Sequence, residues 1–268
     1  MRTTSLVLCL MLVVGLCIAA NAGSISQLPK ETSPSYDFSS EFRSFEPLWE
    51  CAMADDWTCP DGQEIASVRW WGSYWTPPSP GAYTYYSDGF YGAQPGSITS
   101  FLISVRTNEG PMGGVPFDHP GDIIAAYTAP ISIVNETEAF QITKSTDPLV
   151  MERVYEYNVD LGEATGAYGP FPFPQTMGTK YWLCIYARFD NDSANINRQW
   201  GWHEADAHSG GYAVQTVEGN FDQWCIPCGG HDMAFELLPV PEPGSICTLA
   251  AGLTWLVGLA CKRRRHIG

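Results

Sequence analysis

Apolar and polar positions alternate with a period of two along much of the chain. In 154–161, Tyr155, Tyr157, Val159 and Leu161 fall on one face against Glu156, Asn158 and Asp160 on the other. In 180–189, Tyr181, Leu183, Ile185, Ala187 and Phe189 oppose Trp182, Cys184, Tyr186 and Arg188; the second face is also fairly apolar, as in a central strand. Residues 98–108 put Phe101, Ile103 and Val105 on one face, and 64–75, 122–128, 211–217 and 231–238 read as further strands. This period belongs to strands of an antiparallel sheet, and no helical stripe interrupts it between residues 46 and 238. With 26 Gly and 20 Pro as punctuation, the pattern predicts an all-β, antiparallel β-sandwich of jelly-roll-like form over 46–238. Residues 23–45 are Ser-rich and polar and read as a linker. Two long segments, 76–96 and 162–178, are rich in Gly, Pro and aromatic residues and read as loops, where binding tends to sit.

The two ends break this pattern. Arg2, an uncharged apolar run over 6–20 and the small-x-small sequence Ala20-Asn21-Ala22 read as a secretory signal peptide, 1–22, cut by signal peptidase between Ala22 and Gly23. At the other end, 239–268 holds Pro241-Glu242-Pro243, an apolar stretch over 244–261 and then Lys262, Arg263, Arg264 and Arg265. As a transmembrane helix, 244–261 would span about 27 Å, just short of a ~30 Å hydrocarbon core. The four basic residues would hold its end on the cytoplasmic side. Arg2 and those four lie in the terminal segments, as does Glu242. Residues 23–241 therefore keep 9 of the 14 basic groups and 28 of the 29 acidic ones, a formal charge of −19. Such a surface repels phosphate backbones, so no nucleic acid is expected as a partner.

Export brings the cysteines under oxidising conditions. Cys184, inside a strand, is expected to be a buried free thiol. Cys51–Cys59 and Cys225–Cys228 are expected as local disulfides, with a zinc site from the same four residues, or free thiols, left open. Asp190, Asp192 and Asn195 crowd oxygen donors into one loop, as a calcium site does; an Asx-rich turn accounts for the same residues. In "HEADAH" (203–208), His203 and His208 stand five apart, whereas a zincin needs four on a helix face. They are expected to be surface-loop histidines. No nucleophile elbow, phosphate loop or dinucleotide fingerprint occurs. Of the nine aromatic residues between Trp70 and Tyr91, the loop tyrosines Tyr83, Tyr85, Tyr86 and Tyr91 are the candidate glycan platform.

The ordered tail "VPEPGSICTLAAGLTWLVGLACKRRR" resembles the PEP-CTERM sorting signal of exported bacterial proteins. The resemblance implies processing near the triplet by an exosortase-type membrane transpeptidase. The stretches "MADDWTC", "VRWWGSY", "YWLCIYA", "QWGWHEA" and "DMAFEL" make the body similar to a β-rich domain of unknown function found in such proteins, over roughly 50–238. That resemblance transfers no catalytic residue. The expectation is an exported, non-catalytic cell-surface or matrix protein. A carbohydrate-binding module for extracellular polysaccharide and a glycan hydrolase are the alternatives.

Overall fold

The structure is a computed structural model and describes residues 24–33, 35–43, 49–76, 86–87, 98–111, 115–143, 151–189, 199–207, 210–217, 220–227 and 229–240. Their strands form two sheets. The first follows the order β1 (Ile25–Gln27), β17 (Phe235–Pro239), β6 (Ile65–Thr76), β11 (Met151–Asp160) and β10 (Asn135–Thr143). To β6 are added β14 (Gln199–His203), itself paired with β2 (Asp37–Ser39), and β7 (Tyr86–Ser87). The second runs β12 (Thr165–Tyr168), β9 (His119–Pro130), β8 (Ile98–Glu109), β13 (Lys180–Phe189), β5 (Met53–Thr58), β15 (Val214–Val217) and β16 (Asn220–Cys225). It is extended by β3 (Glu41–Arg43) on β13 and β4 (Trp49–Cys51) on β3. Strand β3 runs parallel to β13, whereas β13 is antiparallel to β5 and β8, and β6 is antiparallel to β11 and β14. The only helical pieces among the described residues are 3-10 turns at Ile131–Ile133 and Leu161–Glu163. The described residues are therefore all-β, with two sheets facing one core as in a sandwich.

The predicted alternation is what builds that core. Tyr155, Tyr157 and Val159 from β11 meet Val68, Trp70 and Tyr74 from β6, and Tyr181, Leu183, Ile185, Ala187 and Phe189 face them from β13. Trp70 stacks on Tyr157 at 5.5 Å, and Phe101 sits 5.0 Å from both rings. Each such side chain contributes about 1.5–3 kcal/mol on burial. The second face of β13 is buried too. Trp182 and Cys184 join Ala52, Ala54, Val214 and Trp224 in a smaller cluster, and Cys184 is the free thiol its strand position predicted. At Gly72 a Cβ would lie 2.5 Å from both the Gly201 carbonyl and the Trp200 ring. The absent side chain is what lets β14 lay Trp200 across β6.

The expected linker is corrected. Residues 24–43 are not a spacer but supply β1, β2 and β3, and the compact unit spans Ser24–Leu238. The segment is polar because each piece is short and meets the core at few points. Ser40 is fully buried; its hydroxyl donates to the Ile185 carbonyl and accepts the Met53 N–H at 2.9 Å. Strand β10 was not legible either, because "NETEAFQIT" is an edge strand with mostly solvated side chains.

Candidate functional site

A polar network lies where the N-terminal segment meets the end of β14. His203 and Asp37 are cross-strand partners. His203 is fully buried, which corrects its expected place on the surface. Its Nδ1 lies 2.8 Å from Asp37 Oδ1 and its Nε2 3.0 Å from the Lys30 carbonyl. A carbonyl can only accept, so the contact with Lys30 is a hydrogen bond donated by Nε2. The burial follows from neighbours on both edges. Lys30, Tyr36 and Asp37 lie along one side of His203 and Glu204, and residues 232–234 along the other.

Glu204 gathers the same segments. Its backbone N–H donates to the Tyr36 carbonyl at 2.9 Å, and its carbonyl accepts the Lys30 N–H at 3.0 Å. Its carboxylate takes Lys30 Nζ at 3.2 Å, His231 Nδ1 at 2.7 Å and the Tyr36 N–H at 3.2 Å. Around it, the Tyr36, Phe38 and His231 rings pack together, with Tyr36–His231 centroids 5.0 Å apart. Tyr212 lies against Gly230, where a Cβ would stand 2.8–2.9 Å from three ring carbons and where φ is +65°. Glycine is relaxed at that φ, and only glycine leaves room for the ring. Tyr36 and Tyr212 are 48% and 50% exposed, so this network ends in two half-open aromatic rings at the surface.

Beside it, Asp56 is buried and accepts Lys180 Nζ at 2.7 Å and the Gly211 N–H at 3.1 Å. Lys180 also reaches Asp118 at 3.1 Å. Burial opposes the Lys180 charge, but the hydrogen bonds to Asp56 and Asp118 outweigh it and raise its pKa. Asp55 points the opposite way, into the core, where it accepts the Met233 N–H at 2.6 Å. Burial, and then the neighbouring Asp232 carboxyl, push Asp55 well above the usual carboxylate range. Both acids are at most 1% exposed, which closes them to a polymeric substrate. A third group sits between the sheets. Tyr74 and Tyr157 hydroxyls donate to Glu136 Oε1 at 2.8 and 3.1 Å, and Trp200 Nε1 donates to the Tyr157 oxygen at 3.2 Å. Burial raises the Glu136 carboxyl, against the two phenol bonds that lower it.

The residues singled out from the sequence fall elsewhere. Ala22, Gly23, Pro241, Glu242, Pro243, the 244–261 segment, Lys262, Arg263, Arg264 and Arg265 lie outside the described residues. So do Tyr83, Tyr85, Tyr91, Asp190, Asp192, Asn195, Cys228 and His208. Tyr86 belongs to β7 and Cys51 to β4. The Cys51–Cys59 disulfide is corrected: Cys59 is a buried free thiol whose sulfur accepts the Gly62 N–H at 3.1 Å. Strand β5 runs between the two cysteines and separates them by about 20 Å, far beyond the ~7 Å that a bridge tolerates between Cα atoms. Among the described residues no helix is long and apolar enough to cross a membrane, and no three His, Cys, Asp or Glu side chains cluster to hold a metal ion. The expected loop at 162–178 is pinned at Phe173, which exchanges both backbone hydrogen bonds with Ile65 at 2.9 and 3.0 Å.

Sequence reasoning passed over Lys30, Tyr36, Glu204, Tyr212 and His231. Two signals stood in the chain: the alternating "YDFS" (36–39) and the Gly-Gly pair before His231. No curated protein matches the chain. Residues 24–238, the whole of the compact unit, match a family described as a domain of unknown function, and the chain belongs to that family, DUF7901.

Proposed function

We propose that the protein is exported and presented outside the cell as a non-catalytic, jelly-roll-like β-sandwich, sorted through its C-terminal signal. The observation that carries this reading is the order of parts after the last strand. Strand β17 ends at Pro239; Pro241-Glu242-Pro243 follows at once, then the apolar 244–261 stretch, then the four basic residues. That order supports reading the triplet as a processing site behind the folded domain and the apolar stretch as a membrane stop. The acidic body supports the reading, since it suits a domain kept soluble in an aqueous exterior. The non-catalytic role is supported by how the polar side chains are spent. Asp37 bonds to His203 and Glu204 to His231, and His203 and Glu204 also hold the backbone of Lys30 and Tyr36, which makes them the clasp of an N-terminal strap.

Mass spectrometry of the protein recovered from its native envelope tests the proposal. The expected species begins at Gly23 and ends upstream of residue 244. An intact C-terminus through Gly268 on protein exposed at the surface would refute processing. An unprocessed N-terminus would refute cleavage by signal peptidase.

A further inference from the structure

We propose that Tyr36 and Tyr212 form a stacking platform for a neutral, extended polysaccharide. The two rings belong to segments 176 positions apart in the chain, and residues 230 and 231 bring them to one corner. The Tyr36 ring packs on the His231 ring. The Tyr212 ring lies on the Gly230 backbone, and the residue after it, Ala213, donates its N–H to the His231 carbonyl at 2.9 Å. Each ring is thus supported from beneath by the protein while half its surface stays open to solvent.

Both rings are also held in place before any ligand arrives. Tyr36 is locked through its N–H and its carbonyl to Glu204. Tyr212 is flanked by Gly211, whose N–H bonds to the Asp56 carboxylate, and by Ala213. Preorganised side chains with few rotatable bonds lose little entropy on binding. This is what distinguishes these two rings from an apolar residue that is merely exposed.

The chemistry of the corner selects the occupant. A pyranose offers an apolar C–H face to an aromatic ring and hydroxyls to polar groups at its edge, and here the partly exposed Lys30 ammonium, held by the buried Glu204, borders the rings. An anionic polymer is disfavoured twice. The body carries a formal charge of −19, and the Lys30 ammonium at this corner is already neutralised by Glu204 at 3.2 Å. Two rings set among charged groups make a poor apolar core for a protein interface, which buries charge-depleted surface at its centre. An open pair of rings, rather than a closed pocket, suits a chain that lies across the surface.

The test is retention of the full-length protein, in mild detergent, on microcrystalline cellulose, on chitin and on alginate beads. The wild type is expected to be retained by at least one of the two neutral polymers and not by alginate. Tyr36→Ala and Tyr212→Ala are each expected to weaken retention by about tenfold, the equivalent of one ring contact, while Tyr212→Phe keeps the ring and the retention. Unchanged unfolding midpoints show that the variants fold. The proposal is overturned by no retention on either neutral polymer, by retention on alginate alone, or by retention that both alanine variants leave unchanged. Sedimentation velocity supplies a further arm: a dimer that the alanine variants dissociate would assign this corner to self-association and overturn the proposal. These outcomes do not depend on tail processing, which is read separately from the mature C-terminus.

Discussion

Replacing Tyr157 with Phe removes one oxygen from the centre of the core and little else. The ring remains, so its stacking on Trp70 and its contact with Phe101 are kept. The hydrogen bonds of its hydroxyl are lost, the one with the Tyr74 hydroxyl among them. The hydroxyl no longer donates to Glu136 Oε1, and Trp200 Nε1, on a fully buried side chain, loses the Tyr157 acceptor at 3.2 Å. A hydrogen bond to a charged group is worth about 1.5–3 kcal/mol and a stranded buried donor costs about 1–3 kcal/mol. The two share an atom and are not additive, so the expected loss is about 2–4 kcal/mol. For a domain of this size that lowers the melting temperature by about 4–15 °C. Urea and thermal unfolding of residues 24–238, followed by tryptophan fluorescence, measure it. The pH dependence gives a second check. Burial raises the Glu136 carboxyl and the Tyr157 bond lowers it, so the variant raises it further. A raised carboxyl contributes stability that is fully present below its unfolded pKa and is lost as pH rises through the folded one. The penalty is therefore larger at pH 7 than at pH 4. A melting shift under about 2 °C, or a penalty that shrinks as pH rises, would refute this account of the core.

Asp55 obeys the same sign: its folded pKa is raised well above 3.8, so the urea midpoint should fall as pH climbs above about 4. Asp55→Asn should flatten that fall, yet be less stable than wild type at pH 4 because its amide replaces an acceptor of the Met233 or Asp56 N–H. Gly72→Ala should destabilise by about 1–3 kcal/mol or prevent folding, since the added methyl meets the Gly201 carbonyl and Trp200 at 2.5 Å; soluble yield and melting temperature report it. His203→Ala should release the N-terminal strap, which limited proteolysis would show as new cuts within residues 24–43 while the rest of the domain resists. In native buffer Cys59 and Cys184 should stay silent to a thiol reagent and react only on unfolding, as both are buried free thiols.

What could be read along the chain was whatever depends on near neighbours. Side chains of a strand alternate at every residue, so the inward faces of β6, β8, β11 and β13 were visible as runs of apolar positions, and Cys184 could be placed by its position in one of them. The terminal segments were legible for the same reason, as local orders of charge and apolar residues. The candidate site was not, because it is assembled from segments with no local mark. Asp37 and His203 are 166 positions apart, and Asp55 and the Met233 N–H 178 apart. "HEADAH" looks like a solvated loop until Lys30, Tyr36 and Asp37 on one side and residues 232–234 on the other close on its His203 and Glu204. The polar 24–43 segment looks like a spacer until its few buried groups find the edges of two sheets. Alternation is a property of one strand and is written in its sequence. Burial of a polar side chain is a property of the strands beside it, and only the tertiary structure decides which those are.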